Sequence, residues 1–145
     1  MTTAAPEPAI ETVLLVDDDK VTNLMHGRLI KRTGLIGQID VATDGVAALN
    51  YLQARSDAGD AWPELILLDI NMPRMDGFEF LEHYARLPEE VRCARTLIIM
   101  LSTSVLRADH ERAEADPNVH AFVSKPVQSA HIEAFVTACQ ARRGP

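Results

Sequence analysis

The sequence predicts an α/β protein built on a doubly wound, five-stranded parallel sheet with helices on both faces. Three observations predict it. Short apolar runs alternate five times with stretches of helical periodicity, the order that parallel strands with crossover helices require. Two of those runs, LILLD at 65–69 and TLIIML at 96–101, have no polar alternation until they end, as in strands buried on both faces. No internal repeat or long linker intervenes, and 145 residues suffice for one domain with a core but not for two.

The elements follow in order. Residues 1–10 are rich in Pro, Ala and Thr and read as a disordered lead-in, leaving 11–142 for the folded domain. The lead-in has no basic region followed by an apolar core, so it is not a signal peptide. Thr12 to Val16 reads as the first strand. A helix follows from about Lys20 to Thr33, with Val21, Leu24, Met25 and Leu29 as its apolar stripe and Gly34 as its stop. Gln38 to Ala42 alternates like a strand near a sheet edge. Asp44 stands as N-cap to a second helix that turns Val46, Leu49 and Leu52 inward. The polar, Gly/Pro-marked stretch RSDAGDAWP at 55–63 reads as a loop.

Leu65 to Asp69 is the third strand. Asp76 and Glu79 form a capping pattern for a third helix, with Phe78, Leu81 and Ala85 inward. A loop spans 87–94, and Thr96 to Leu101 is the fourth strand. The fourth helix, about Leu106 to Ala115, offers only Leu106 and a few alanines to the core. Val119 to Val123 is the fifth strand, and Ile132, Phe135, Val136 and Cys139 mark the inner face of the last helix.

Composition excludes several classes of function. A net charge of −7 and a pI near 5.1 argue against a nucleic-acid surface. No run of 18 apolar residues is present, so no membrane span is expected. Cys93 and Cys139 lack CxxC or His spacing, and nothing suggests an oxidising compartment. The cytoplasm is the default location.

In open parallel sheets, ligands sit at the carboxyl ends of the strands. Here those ends carry Asp17, Asp18 and Asp19, then Asp69, then Ser102 and Thr103, then Ser124, Lys125 and Pro126. Simple roles exist for some of them: Asp19 can cap the first helix, and Ser102 or Ser104 the fourth. The acids are different, because Asp69 ends a core strand and a buried carboxylate needs a metal or a cationic partner. Oxygen ligands without His or Cys favour Mg²⁺. A carboxylate beside Mg²⁺, a lysine and a hydroxyl has the parts for phosphoryl transfer.

VDDD at 16–19, LLDINMPRMDG at 67–77, IIMLST at 98–103 and FVSKP at 122–126 together resemble the receiver domain of two-component response regulators, especially stand-alone, chemotaxis-regulator-like members. The resemblance covers about 11–142. It implies the strand order 2-1-3-4-5 and a phosphoryl group accepted on Asp69 from a histidine kinase or histidine phosphotransfer protein. It also implies direct Mg²⁺ ligation by Asp18, ligation by Asp17 through water, and a third protein ligand in the Asn71 carbonyl. Ser102 falls at the switch hydroxyl, Lys125 at the phosphoryl-pairing lysine before a cis proline bond, and Phe122 at the switch aromatic, where Tyr is common. Asp76 is left as a cap.

Such a protein is no enzyme beyond catalysing its own phosphorylation and dephosphorylation. No output domain is expected, since one helix follows Lys125. The resemblance therefore implies that the signal leaves through a downstream protein at the face of the fourth helix, fifth strand and fifth helix, or through a homodimer. Two alternatives stand beside this reading. VDDDKV at 16–21 also matches the first motif of haloacid-dehalogenase-like phosphatases, with Asp17 as nucleophile. That family needs an acidic pair after its lysine, and Glu133 is the sole acid beyond Lys125. The other alternative is a phosphorylation-independent adaptor with a receiver fold.

Overall fold

The computed structural model describes residues 7–88, 96–103 and 106–142. Its strands are β1 (Ile10–Val16), β2 (Ile36–Ala42), β3 (Leu65–Asp69), β4 (Leu97–Ser102) and β5 (Val119–Ser124). Its helices are α1 (Lys20–Thr33), α2 (Gly45–Ala58), α3 (Gly77–Arg86), α4 (Arg107–Ala115) and α5 (Ser129–Arg142). The strands form one parallel sheet in the order β2-β1-β3-β4-β5, the expected fold. The order reverses at β1, so the crevice between the ends of β1 and β3 is where a ligand belongs.

Alternate residues of the central strands feed two cores. Leu14, Val16, Ile66 and Leu68 pack with Leu52, Phe80 and Leu81 on one face. Val13, Leu15, Leu65 and Leu67 pack with Ile30, Ile132 and Phe135 on the other. Both faces of β3 are therefore covered, which is why its sequence does not alternate. Asp69 pairs in register with Leu101, and Ser102 with Ser124, so the strand ends that carry polar residues lie at one edge.

Local signals formed as read. Asp44 accepts the Ala47 N–H at 2.8 Å. Asp76 and Glu79 complete a reciprocal capping box. Gly34 ends α1 in the left-handed region, φ 67°. Ile132, Phe135, Val136 and Cys139 are the buried face of α5.

Several expectations are corrected. The strand begins at Ile10, which is fully buried, so the lead-in is shorter than 1–10; residues 1–6 lie outside the described residues. Residues 55–58 are helical, because Gly59 provides a left-handed C-cap and Trp62 folds back to donate to the Leu52 carbonyl and Ser56 Oγ. On α3 the inward residue of the last turn is Tyr84 and Ala85 is exposed. Leu106 is 63% exposed and is the N-cap of α4, which has no side-chain cap. Ser102 belongs to β4 and does not cap α4, while Ser104 and Cys93 lie outside the described residues.

The largest correction concerns α1. Val21, Leu24 and Met25 are 63%, 55% and 52% exposed, and the buried face is Asn23, His26 and Ile30. Asn23 Nδ2 donates to the Asp17 carbonyl at 2.8 Å, and His26 Nε2 accepts the Val127 N–H at 3.4 Å. These partners turn the polar pair inward and leave Val21, Leu24 and Met25 outside, while Leu29, the fourth residue of the expected stripe, packs against the second core.

Candidate functional site

The end of β1 places Asp17 in the crevice, 4% exposed, with its N–H donating to the Ala42 carbonyl at 3.1 Å. Its Oδ1 accepts the Asp19 N–H at 2.9 Å and its Oδ2 accepts from Lys125 Nζ at 2.7 Å. Asp69, at the end of β3 and 6% exposed, meets the same ammonium through Oδ1 at 2.8 Å. Asp18 completes the group from the exposed side, and oxygens of Asp17, Asp18 and Asp69 lie within 4.8 Å of one another. Asp19 turns away. It caps α1 by accepting from the Val21 N–H at 3.0 Å and from Thr22 Oγ1 at 2.8 Å.

Lys125 reaches the acids from the end of β5. Its N–H donates to the Ser102 carbonyl at 3.0 Å, and its peptide bond to Pro126 is cis. Burial opposes its charge, but the hydrogen bonds and charges of Asp17 and Asp69 outweigh that and raise the ammonium above its ordinary value. Burial pushes the Asp69 carboxyl up, the Lys125 hydrogen bond opposes this, and the charge of Asp17 adds to it. One ammonium against three carboxylates leaves excess negative charge at the crevice. All-oxygen donors, two buried and one open to solvent, fit Mg²⁺, which takes hard ligands and keeps part of its water shell.

The loop after β3 is held against the site. Gly77 N–H donates to the Ile70 carbonyl at 2.8 Å, and a Cβ on Gly77 would stand 2.4 Å from the Asp69 carbonyl oxygen. Arg74, at φ 63°, occupies a backbone region that is unfavourable for its side chain. It is held there by Asp44 Oδ2 at 2.7 Å from Nε. Burial would raise Asp44, but the guanidinium hydrogen bond is the larger cause and keeps the carboxyl below its ordinary value. Asn71 sits on this loop, exposed, two residues beyond Asp69.

Ser102 ends β4 and is 1% exposed. Phe122 is half-buried on β5, with the His110 ring of α4 at 4.0 Å between centroids. The structure thus brings Asp17, Asp18, Asp69 and Lys125 into one cluster, with Ser102 at the adjoining strand end. Phe122 packs against α4 through His110. Sequence reading missed His26, Asn23, Arg74 and the steric demand at Gly77. The visible signal for the first two was a polar pair at i, i+3 opposite the apolar stripe; for Gly77 it was a glycine directly after the cap Asp76.

The family model of the response regulator receiver domain matches residues 13–137. The chain belongs to the response regulator receiver family. The "Probable methanogenesis regulatory protein FilR2" of Methanothrix harundinacea is 33% identical to this receiver over 132 residues, which are 91% of the chain and 81% of FilR2. A two-component response regulator from Cytophaga hutchinsonii superposes with a TM-score of 0.84 at 31% identity, covering 91% of this receiver and 98% of that chain. The Mn²⁺-bound form of response regulator Rcp1 gives 0.66 at 26%, covering 90% and 89%. Some relatives are far longer: the chain spans 7% of a hybrid histidine kinase of Dictyostelium discoideum. As a receiver the chain is a signalling domain, and among the described residues no helix is long and apolar enough to cross a membrane. Family membership leaves the phosphatase alternative, with Asp17 as nucleophile, without support.

Proposed function

We propose that this receiver accepts a phosphoryl group on Asp69 from a phosphohistidine of a sensor kinase or phosphotransfer protein, in the cytoplasm, and signals by phosphorylation-dependent protein binding. The observation that carries the reading is the Lys125 ammonium bridging Asp17 and Asp69 at 2.7 and 2.8 Å. A cation at that point serves an ionised Asp69 first and a phosphoryl group afterwards.

In this reading a carboxylate oxygen of Asp69 attacks phosphorus, the P–O bond forms as the P–N bond breaks, and the imidazole leaves with the electron pair and takes up a proton. No general base is required, because the ammonium favours the ionised carboxylate. Lys125 then pairs with a phosphoryl oxygen, and Ser102 donates a hydrogen bond to another. Asp17, Asp18, Asp69 and the Asn71 carbonyl would hold Mg²⁺, which supplies neutralisation of charge on the phosphoryl oxygens. The same residues release the group when water attacks phosphorus, so the receiver acts on itself alone.

Val21, Leu24 and Met25 follow directly on the acid cluster and present an exposed apolar strip. A protein that must bring a phosphohistidine to Asp69 would cover this strip. Met25→Glu should slow transfer from a protein donor by about tenfold, the scale of one lost apolar contact plus a desolvated charge, and leave acetyl phosphate uptake unchanged. Equal slowing with both donors would place Met25 outside the docking surface.

Output would leave through α4, β5 and α5, to a downstream protein or a second copy of the chain. α4 buries only Ala113 and starts without a side-chain cap, which marks it as a low-stability element. Drawing Ser102 toward a phosphoryl oxygen would let Phe122 turn inward and disturb its contact with His110. Hydrogen exchange with and without beryllofluoride should therefore change at Ser102, residues 106–116 and 119–123. Changes limited to the acids and α1 would send the signal out by another face. The reading as a whole is tested by intact mass after incubation with acetyl phosphate and Mg²⁺. One added phosphoryl group, prevented by chelation, is expected; no mass gain in a folded sample would end it.

A further inference from the structure

His26 lies in the middle of α1 and is 4% exposed. A buried imidazole needs a hydrogen-bond partner, and here it comes from the far end of the chain: the Val127 N–H donates to His26 Nε2 at 3.4 Å. Val127 stands two residues after Lys125, across the cis Lys125–Pro126 bond. The turn is therefore held at two points. Lys125 N–H is fixed to the Ser102 carbonyl at 3.0 Å, and Val127 N–H is fixed to His26. Between those points the Lys125 side chain leaves for Asp17 and Asp69.

We propose that His26 is a positioning residue for Lys125, and that its protonation sets an acid-side limit on phosphoryl acceptance. The inference rests on the reading of Asp69 as phosphoryl acceptor. Accepting through Nε2 requires a neutral imidazole with its proton on Nδ1. Burial holds His26 below its ordinary value of 6.5, the charge of Lys125 acts in the same direction, and Asp17 opposes. The neutral, accepting form is thus the resting form at neutral pH. When a proton arrives, Nε2 becomes a donor facing another donor, and a cation faces the Lys125 ammonium. Both effects push the turn, and the lysine with it, away from the carboxylates.

Of the surrounding charges, Asp17 compensates only in part, since burial and Lys125 are the larger causes. Arg28 and Arg32, on the same helix, line with His26, Pro126 and Val127 a cavity of about 300 Å³, so water can enter but no carboxylate lines it. From α5, His131 is the nearby second imidazole; it accepts the Gln128 N–H through Nδ1 at 3.0 Å and serves as a control.

The test measures the initial rate of acetyl phosphate uptake, by intact mass with Mg²⁺, from about pH 5 to 8, the range in which histidine titrates. Any dependence from the donor itself is common to all variants. The wild type should show a one-proton fall below about 6.5. His26→Gln keeps an acceptor at a similar reach but does not titrate, so it should hold the neutral rate and lose the acid step. His26→Leu has no acceptor, so it should be slow at every pH by about tenfold, as expected for a misplaced charged group, with Mg²⁺ affinity unchanged. His131→Gln should retain the step.

Superimposable profiles of the wild type and His26→Gln would overturn the proposal, as would a wild-type rate in His26→Leu. If His26→Leu does not fold, the comparison with His26→Gln decides. No uptake by the wild type at any pH would instead overturn the acceptor reading, and this proposal with it.

Discussion

Asp69→Asn should take up no phosphoryl group from acetyl phosphate, whereas the wild type should gain one that hydroxylamine removes. The amide has no ionised oxygen to attack phosphorus, and its nitrogen cannot accept from Lys125 as the carboxylate does at 2.8 Å. The modification site follows from the mutant: retained uptake would move the acceptor to another acid of the cluster, Asp17 or Asp18.

The same mutant carries a stability signature of opposite sign. Burial raises the Asp69 carboxyl above the carboxylate value of the unfolded chain, with Lys125 opposing and Asp17 adding. The folded state therefore binds a proton more readily, and stability falls as pH rises from the unfolded value, about 3.9, through the raised folded one. At neutral pH the ionised Asp69 costs stability. Asp69→Asn removes that cost and should raise the melting temperature in the absence of metal. The gain should vanish below about pH 4, where both states of the wild type are protonated. Mg²⁺ should stabilise the wild type and not the mutant. A mutant less stable than the wild type at neutral pH would show that the Lys125 contacts outweigh the burial of Asp69.

Gly77→Ala should be strongly destabilising. Its new Cβ would meet the Asp69 carbonyl oxygen at 2.4 Å, and Ile70 Cα and Met100 Cε each at 3.1 Å. Two of these are backbone atoms of the strand end itself and cannot rotate away. The loop has little freedom to retreat, since Gly77 N–H is bonded to the Ile70 carbonyl at 2.8 Å and Ile70 N–H to the Leu101 carbonyl at 3.3 Å. A loss of about 3 kcal/mol is expected, at the upper end for forced overpacking, which lowers the melting temperature by about 10 °C in a chain of this size. Phosphoryl uptake should fall as well, because relieving the clash moves Asp69.

Gly27→Ala is the contrast. It sits inside α1 with nothing within 4 Å of its would-be Cβ, so it should gain up to about 1 kcal/mol from helix propensity. Chemical denaturation of the two variants in parallel measures both. A Gly77→Ala protein as stable as the wild type would mean that the end of β3 is far more yielding than its hydrogen bonds imply.

What the sequence determined by itself was everything carried by local chemistry or by an unambiguous pattern. LILLD could only be a strand covered on both faces. DGFE could open a helix with a reciprocal cap, and the stripe Ile132, Phe135, Val136 and Cys139 had one apolar side to bury. The polar strand ends were legible as well, because strand ends on one sheet edge meet whatever the details of packing. That places the acids, Ser102 and Lys125 at one edge before any coordinate is known, though not the ammonium between two particular carboxylates.

The tertiary structure decided where two faces of an element competed. Periodicity groups Val21, Leu24 and Met25 together on α1, but it cannot say that their side faces out. That depended on partners at a distance: the Asp17 carbonyl for Asn23, and the Val127 N–H, 101 residues away, for His26. The end of α2 was of the same kind, since Trp62 closes over it by donating to the Leu52 carbonyl. So was Arg74, whose left-handed backbone depends on Asp44, 30 residues earlier. A buried polar group costs free energy unless it is hydrogen-bonded. Which polar groups can be buried is therefore decided by what the rest of the chain brings to them.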